Sequence, residues 1–372
     1  MRGIGALMVG GFHAAGLAGG PTLAGIYAAW ILGFFFDGRT GVSIFFVLSG
    51  LVLGMSLRRA GSVTAWNYFH FCGRRFFRLF PAYFFSTLFY LALYFGLWDR
   101  AAHGLPVGNG WCDYYLRDGA WKWTHLAGNF CFVRQSLNVA TWTLRVEALA
   151  AFILPLLHAF SLRFRGKGAA LMLLALVMLS FSASGGGTRL NLYLFYLGYW
   201  IPPLIENLRA SGHLGKIMNN GWAVALALAA LAASHPLQVN PGAHIGLLLA
   251  GLGSTALLLM ILLSSHPIFS VLDHRVVRYF GKVSYSYYLF NLLSVDLVQR
   301  VLLSAPTDET TRRLIIEWLI FPASTILCLA MASVSFYLVE RPFIRLGGFL
   351  LPSFTDPNAS DRAKATDVVP KA

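Results

Sequence analysis

Along most of the chain, apolar residues come in long blocks, and polar residues crowd into the gaps between them. Strict apolar–polar alternation, the mark of a half-buried strand, is missing. Blocks of this length predict helices. About twenty apolar residues at 1.5 Å each cross a hydrocarbon core of about 30 Å, so they also predict membrane spans. Ten segments qualify, near 3–20, 40–57, 79–98, 142–160, 169–184, 189–205, 221–234, 244–265, 283–303 and 314–338. The stretch 22–36, "TLAGIYAAWILGFFF", is a candidate eleventh. The pattern predicts an all-α polytopic membrane protein of about ten transmembrane helices.

The gaps set the orientation. "RRAGSVTAWNYFHFCGRRFFR" (58–78), "RFRGK" (163–167), "RASGHLGK" (209–216), "HRVVR" (274–278) and the region after Arg341 are basic. They alternate with gaps poor in Lys and Arg at 99–141, 185–188, 235–243 and 304–313. Basic loops stay on the cytoplasmic side, so an even number of spans places Arg2 and both termini inside. An eleventh span at 22–36 would put Arg2 outside. Residues 1–18 also admit a signal-peptide reading, with Arg2 as the charged leader. Residues 1–345 read as one transmembrane domain without internal repeats, and 346–372 as a short polar tail expected to lack structure.

Composition agrees. The chain is 57% hydrophobic and 12% charged, against about 25% charged in soluble domains. Its formal net charge of +14 would suggest nucleic acid in a soluble protein. Here the cations lie in the gaps, so they read as topology and as partners of anionic membrane lipid. Two cysteines, Cys112 and Cys131, share the long gap before Thr141. In an oxidising compartment they admit a disulfide; otherwise they are two unpaired thiols.

Against this apolar background, ionisable residues within the blocks are the candidates for chemistry. "MRGIGALMVGGFH" opens the chain with Arg2 and His13 on one helical face, 11 residues and so about 16 Å apart. Glu147, in "TWTLRVE" (141–147), is a second ionisable group inside a block. A carboxylate there needs a partner, and His13 is the expected one. A His–Glu pair would fix the imidazole tautomer and activate a hydroxyl. The alternative for each is a structural hydrogen bond. "GRRFFRLFPAYF" (73–84) places Arg74 and Arg78 on one face with Arg75 beside them, which suits a phosphate-bearing donor as well as anionic lipid. Trp98, Trp111, Trp121, Trp123 and Trp142 fall within 45 residues. They fit either an interfacial belt or an apolar floor for sugar rings.

Several chemistries find no support. The chain has no phosphate-binding glycine loop, no zinc-spaced His and Cys, no G-x-S-x-G elbow and no His-x4-Asp pair. No metal is expected.

In these residues the chain resembles acyltransferase family 3, polytopic membrane enzymes that O-acylate sugars and related acceptors. The resemblance rests on Arg2 and His13 as an Arg-x10-His signature, "GVSIFFVLSG" (41–50), "RRFFRLFPAY" (74–83), "TWTLRVE" (141–147), "GKVSYSYYLF" (281–290) and "ERPF" (340–343), in that order. It implies ten helices with cytoplasmic termini and an acyl-CoA donor, usually acetyl-CoA, with no permanently bound cofactor. It implies a hydroxyl acceptor on a glycan, lipid-linked sugar or small molecule at the outer face. His13 carries over as the catalytic histidine with Glu147 as partner. Arg2, Arg74, Arg75 and Arg78 carry over to the donor side, and Ser49, Trp142 and Tyr285, within the motifs, to substrate contact. Three departures stand out: Met1 directly precedes Arg2, Thr143 stands where Ser is usual, and Asn291 stands where many members carry His. The competing function is a proton-coupled transporter or flippase using His13 and Glu147 as a relay, although no inverted repeat is visible.

Overall fold

The computed structural model describes residues 1–17, 37–61, 63–93, 123–135, 137–182, 191–211, 221–239, 243–263, 267–302, 308, 311 and 318–351. The candidate span 22–36, Trp98, Trp111, Trp121, Cys112 and the tail from 352 lie outside these residues. Cys131 is exposed just past a short helix.

Among the described residues there is no strand. The helices are α1 (Arg2–Leu17), α2 (Gly38–Ala60), α3 (Ala65–Leu93), α4 (Trp123–Phe130), α5 (Trp142–Ser182), α6 (Leu192–Ser211), α7 (Gly221–Val239), α8 (Ala243–Leu263), α9 (Arg275–Leu302), α10 (Ile320–Ser335) and α11 (Arg341–Leu350). A π-turn, Phe336–Glu340, joins the last two. An all-helical chain is what lipid demands, because each helix satisfies its own backbone polar groups.

Five helical stretches are long and apolar enough to cross a membrane: Gly38–Ala60, Ala65–Leu93, Val139–Phe164, His244–Leu263 and Ile320–Leu350. The described parts of the ten predicted segments fall on helices, but α1, the second half of α5, α6, α7 and α9 miss that standard. Half of α9 is buried, and that half carries polar residues, including Ser284, Ser286, Asn291, Ser294, Asp296 and Gln299, so its composition reflects protein contacts more than lipid. The segments 142–160 and 169–184 form one helix, α5, with no loop at "RFRGK". That helix is sharply bent there. A β-carbon on Gly168 would overlap that of Phe164, whereas Cβ atoms four residues apart in a straight helix stand about 5–6 Å apart. Residues 346–350, assigned to the tail, belong to helix α11 and Leu351 caps it, and Gly347 and Leu351 pack against Phe77 and Gly73 of α3.

Two apolar clusters hold the bundle together. The first joins α2, α5, α6 and α8 around Phe46, Leu154, Phe195 and Tyr199. The second joins α1, α3, α9 and α10 around Tyr83, Tyr287, Phe290 and Cys328. α2 and α6 meet backbone to backbone: a β-carbon on Gly50 would overlap the Phe195 carbonyl, and one on Gly198 that of Val47. Glycine is required at both, since small residues are what allow membrane helices this approach. α1 runs alongside α9, with Gly3 against Phe280 and Gly10 against Tyr287. Phe45 packs against both clusters, and the seam between them holds the site.

Candidate active site

The seam contains two cavities that share Arg78. The larger, about 480 Å³, is lined by Arg59, Arg74, Arg75 and Arg78, with Tyr68, Phe71 and Pro155 among its walls. Pro155 cannot donate to the Ala151 carbonyl four residues back, and Cys72 Sγ approaches that oxygen instead at 3.8 Å. Tyr68 donates to the next carbonyl, Phe152 O, at 3.2 Å. The turn of α5 around Pro155 is thus tied to α3 at the cavity wall.

The smaller cavity, about 50 Å³, is lined by Arg2, Ser49, Arg78, Glu147, Tyr285 and Tyr288, with Phe45, Phe46 and Leu144 as its apolar walls. Its charges form one cluster. Arg75 Nη1 lies 3.6 Å from Glu147 Oε1, and Ser49 Oγ donates to the same oxygen at 3.3 Å. Arg2 interacts electrostatically with Arg78, Glu147 and Glu340. Glu340 is buried and accepts from Ser286 Oγ at 2.8 Å. Three arginines, Arg2, Arg75 and Arg78, thus face two carboxylates, an excess of one positive charge. Arg75 Nη1 is buried and has no hydrogen-bond acceptor. An unsatisfied buried cationic donor is costly, and an anionic ligand is one way to satisfy it.

His13 lies elsewhere. Its Nδ1 is 2.6 Å from Asn291 Oδ1, and Asn291 Nδ2 donates to Tyr288 O at 3.0 Å. Tyr288 stands between the two regions: its hydroxyl donates to Ala140 O and accepts from Thr143 Oγ1 at 2.7 Å. The expected His13–Glu147 pair does not form. Glu147 sits at the level of Arg2, and α1 carries His13 about 16 Å further along.

The structure therefore gathers Arg2, Arg78, Ser49, Glu147 and Tyr285 at the narrow cavity, and Arg74, Arg75 and Arg78 at the wide one. Tyr285 is fixed by donating to Leu79 O at 2.6 Å. Trp142 lines neither cavity; it packs edge-on against Phe46, centroids 6.3 Å apart, in the first apolar cluster. Glu340 and Tyr288 escape the sequence reading as individual residues, although each lies in a quoted motif, and Asn291 enters it only as a departure from the family pattern, with no role. Their buried partners come from other helices, which spacing within one helix cannot show. Among the described residues no group of three or more His, Cys, Asp and Glu suits a metal.

A model of the acyltransferase domain of family 3 matches residues 1–339. The chain belongs to the acyltransferase 3 family. Neither a curated protein nor a solved structure shows significant similarity to it. With its apolar helices, membership makes the chain an integral membrane acyltransferase. The family match covers helices α1 to α10 and none of α11, and both cavities apart from the α11 edge of the wide one.

Proposed function

We propose that this family member is an O-acyltransferase. It takes an acyl group, acetyl by resemblance, from acyl-CoA in the cytoplasm. It passes the group to a hydroxyl of a glycan, lipid-linked sugar or small molecule at the outer face of a bacterial inner membrane, with both termini inside. The observation that supports this reading is the sharing of Arg78: it lines both a wide arginine-rich cavity and a narrow one, and the narrow one is also lined by Tyr288, whose carbonyl bonds the Asn291 amide that contacts His13.

Arg59, Arg74 and Arg75 suit the phosphates of the donor, because guanidinium groups bind phosphate oxygens in pairs. Tyr68 and Phe71 offer rings to its base. Arg2 and Arg78, held between Glu147 and Glu340, frame the neck through which the thioester arm reaches inward. His13 then serves the acceptor hydroxyl as a general base, or carries the acyl group briefly. Basic residues at the C-terminal ends of α2 and α6, the start of α9 and α11 support the cytoplasmic placement of the wide cavity.

The test is label from acetyl-CoA followed into extractable glycans and lipids, in cells carrying the wild-type chain or His13→Ala. Label in one fraction that vanishes with His13→Ala supports the reading and names the acceptor class. Purified protein that moves substrate without releasing CoA thiol would instead establish the transporter.

A further inference from the structure

We infer that Asn291 is a positioning residue that holds His13 in the Nδ1–H tautomer and so makes Nε2 the working atom. The argument rests on hydrogen-bond logic and on the acyltransferase reading above. The side-chain amide of Asn291 makes two contacts: one with Tyr288 O at 3.0 Å and one with His13 Nδ1 at 2.6 Å. A backbone carbonyl only accepts, so the atom facing Tyr288 O is the NH₂ group. The atom facing His13 is therefore the amide oxygen, which also only accepts. Nδ1 must then carry the proton, and in a neutral imidazole Nε2 is bare.

Nothing charged supplies this control. The charged groups beyond this level on the described helices packed against α1 are Asp37 and Arg39 at the start of α2, the Arg39 side chain being exposed, and Asp296 and Arg300 on α9. Asp37 accepts from Thr40 and from the Arg39 N–H, and Asp296 is ion-paired to Arg300 at 2.9 Å. α10 carries no charged residue. His13 Nε2 has no hydrogen-bond partner among the described residues, and the residue is only partly buried.

The step this prepares balances simply. Nε2 takes the proton of the acceptor hydroxyl as its oxygen bonds to the thioester carbonyl carbon. The carbon–sulfur bond breaks, and the departing sulfur receives the proton from Nε2 as CoA thiol. With the other tautomer, Nε2 holds a proton and cannot begin.

The test uses the full chain in lipid nanodiscs, with acetyl-CoA as donor and release of CoA thiol as readout. It is paired with ¹⁵N spectra of the imidazoles, His13 being assigned by its loss in His13→Ala. We expect Nδ1–H and bare Nε2 at His13 in the wild type. Asn291→Leu should scramble that signature and lower kcat by about 10- to 100-fold, the usual cost of losing a histidine's outer partner, with KM for the donor unchanged. Asn291→Asp, which can still accept from Nδ1–H, should recover at least about tenfold of that loss and restore the signature. Wild-type kcat in Asn291→Leu would overturn the inference, as would an Asp variant no better than Leu. A wild-type spectrum with the proton on Nε2 overturns it even if Asn291→Leu fails to fold. If the wild type shows Nδ1–H but releases no CoA thiol with any acceptor, the acyltransferase reading fails and the tautomer assignment stands.

Discussion

At one end of α1, Arg2 interacts with three other charged side chains, Arg78, Glu147 and Glu340. At the other end, the hydrogen-bond partner of His13 among the described residues is a neutral amide, that of Asn291. The two regions are about 16 Å apart on one rigid helix, separated by the hydroxyls of Tyr288 and Thr143. The difference shows how a membrane protein divides its polar residues. Recognition of an anion needs fixed positive charge, which is expensive to bury and is offset here by two carboxylates. Proton transfer needs a neutral imidazole, which nearby carboxylates or arginines would bias. Placing the two functions a few helical turns apart lets each have the environment it requires.

This contrast predicts that mutations at the two ends fall into different kinetic constants. At the neutral end, His13→Gln should lower kcat by about 10²- to 10⁴-fold, the range of a positioned acid–base group, while donor KM stays within about twofold. A steady-state measurement with saturating acetyl-CoA checks it. A main effect on donor KM would show that His13 belongs to the binding region.

At the charged end, the effect of Arg75→Leu should appear in folding. It leaves Glu147 mostly buried without its ion-pair partner, at a cost of about 3–5 kcal/mol. Adding Glu147→Leu should recover most of that loss, because the pair is removed together. Thermal melts of both variants in one detergent decide it. Simple additivity would mean that the 3.6 Å pair is incidental and Arg75 is held by something else. Next in size, Arg78→Ala should raise donor KM by about tenfold, or 1.4 kcal/mol, and acceptor KM much less, because Arg78 lines both cavities on the donor path. The increase should shrink as salt screens the contact.

How far the sequence reveals these two ends follows from which interactions are local. Arg74, Arg75 and Arg78 are visible because one helix brings them together, and the structure keeps them together at the wide cavity. Arg2 and His13 are visible because they are costly in an apolar run. Their separation follows from helical rise alone, and with it the failure of the His13–Glu147 pairing could have been anticipated had Glu147 been set at the depth of Arg2. The partners that matter are 54 to 278 residues away: Ser286 for Glu340, Ser49 for Glu147 and Asn291 for His13. Nothing in a single helix's periodicity encodes such contacts. Trp142 shows the converse: its place in a motif suggests a substrate contact, and the contact the structure shows is with Phe46 in the first core. The loop expected at "RFRGK" was inferred from charge, but helices end at breakers or caps, and Gly168 only bends this one.

The smallest effect tests the charged end most finely. Ser49 Oγ reaches Glu147 Oε1 at 3.3 Å, a long hydrogen bond, and the same side chain lines the narrow cavity. Two roles are therefore superposed at one atom: holding a carboxylate and leaving space. Ser49→Ala removes the first and keeps the second. The loss should be about 0.5–1.5 kcal/mol, read as roughly a two- to tenfold rise in donor KM with kcat unchanged. Ser49→Val keeps a similar backbone preference but puts an extra methyl group into a cavity of about 50 Å³. If the thioester arm passes there, the Val variant should lose far more turnover than Ala, although both lack the hydroxyl. Equal losses in the two variants would mean that the hydrogen bond alone matters and that the arm takes another route past Tyr288.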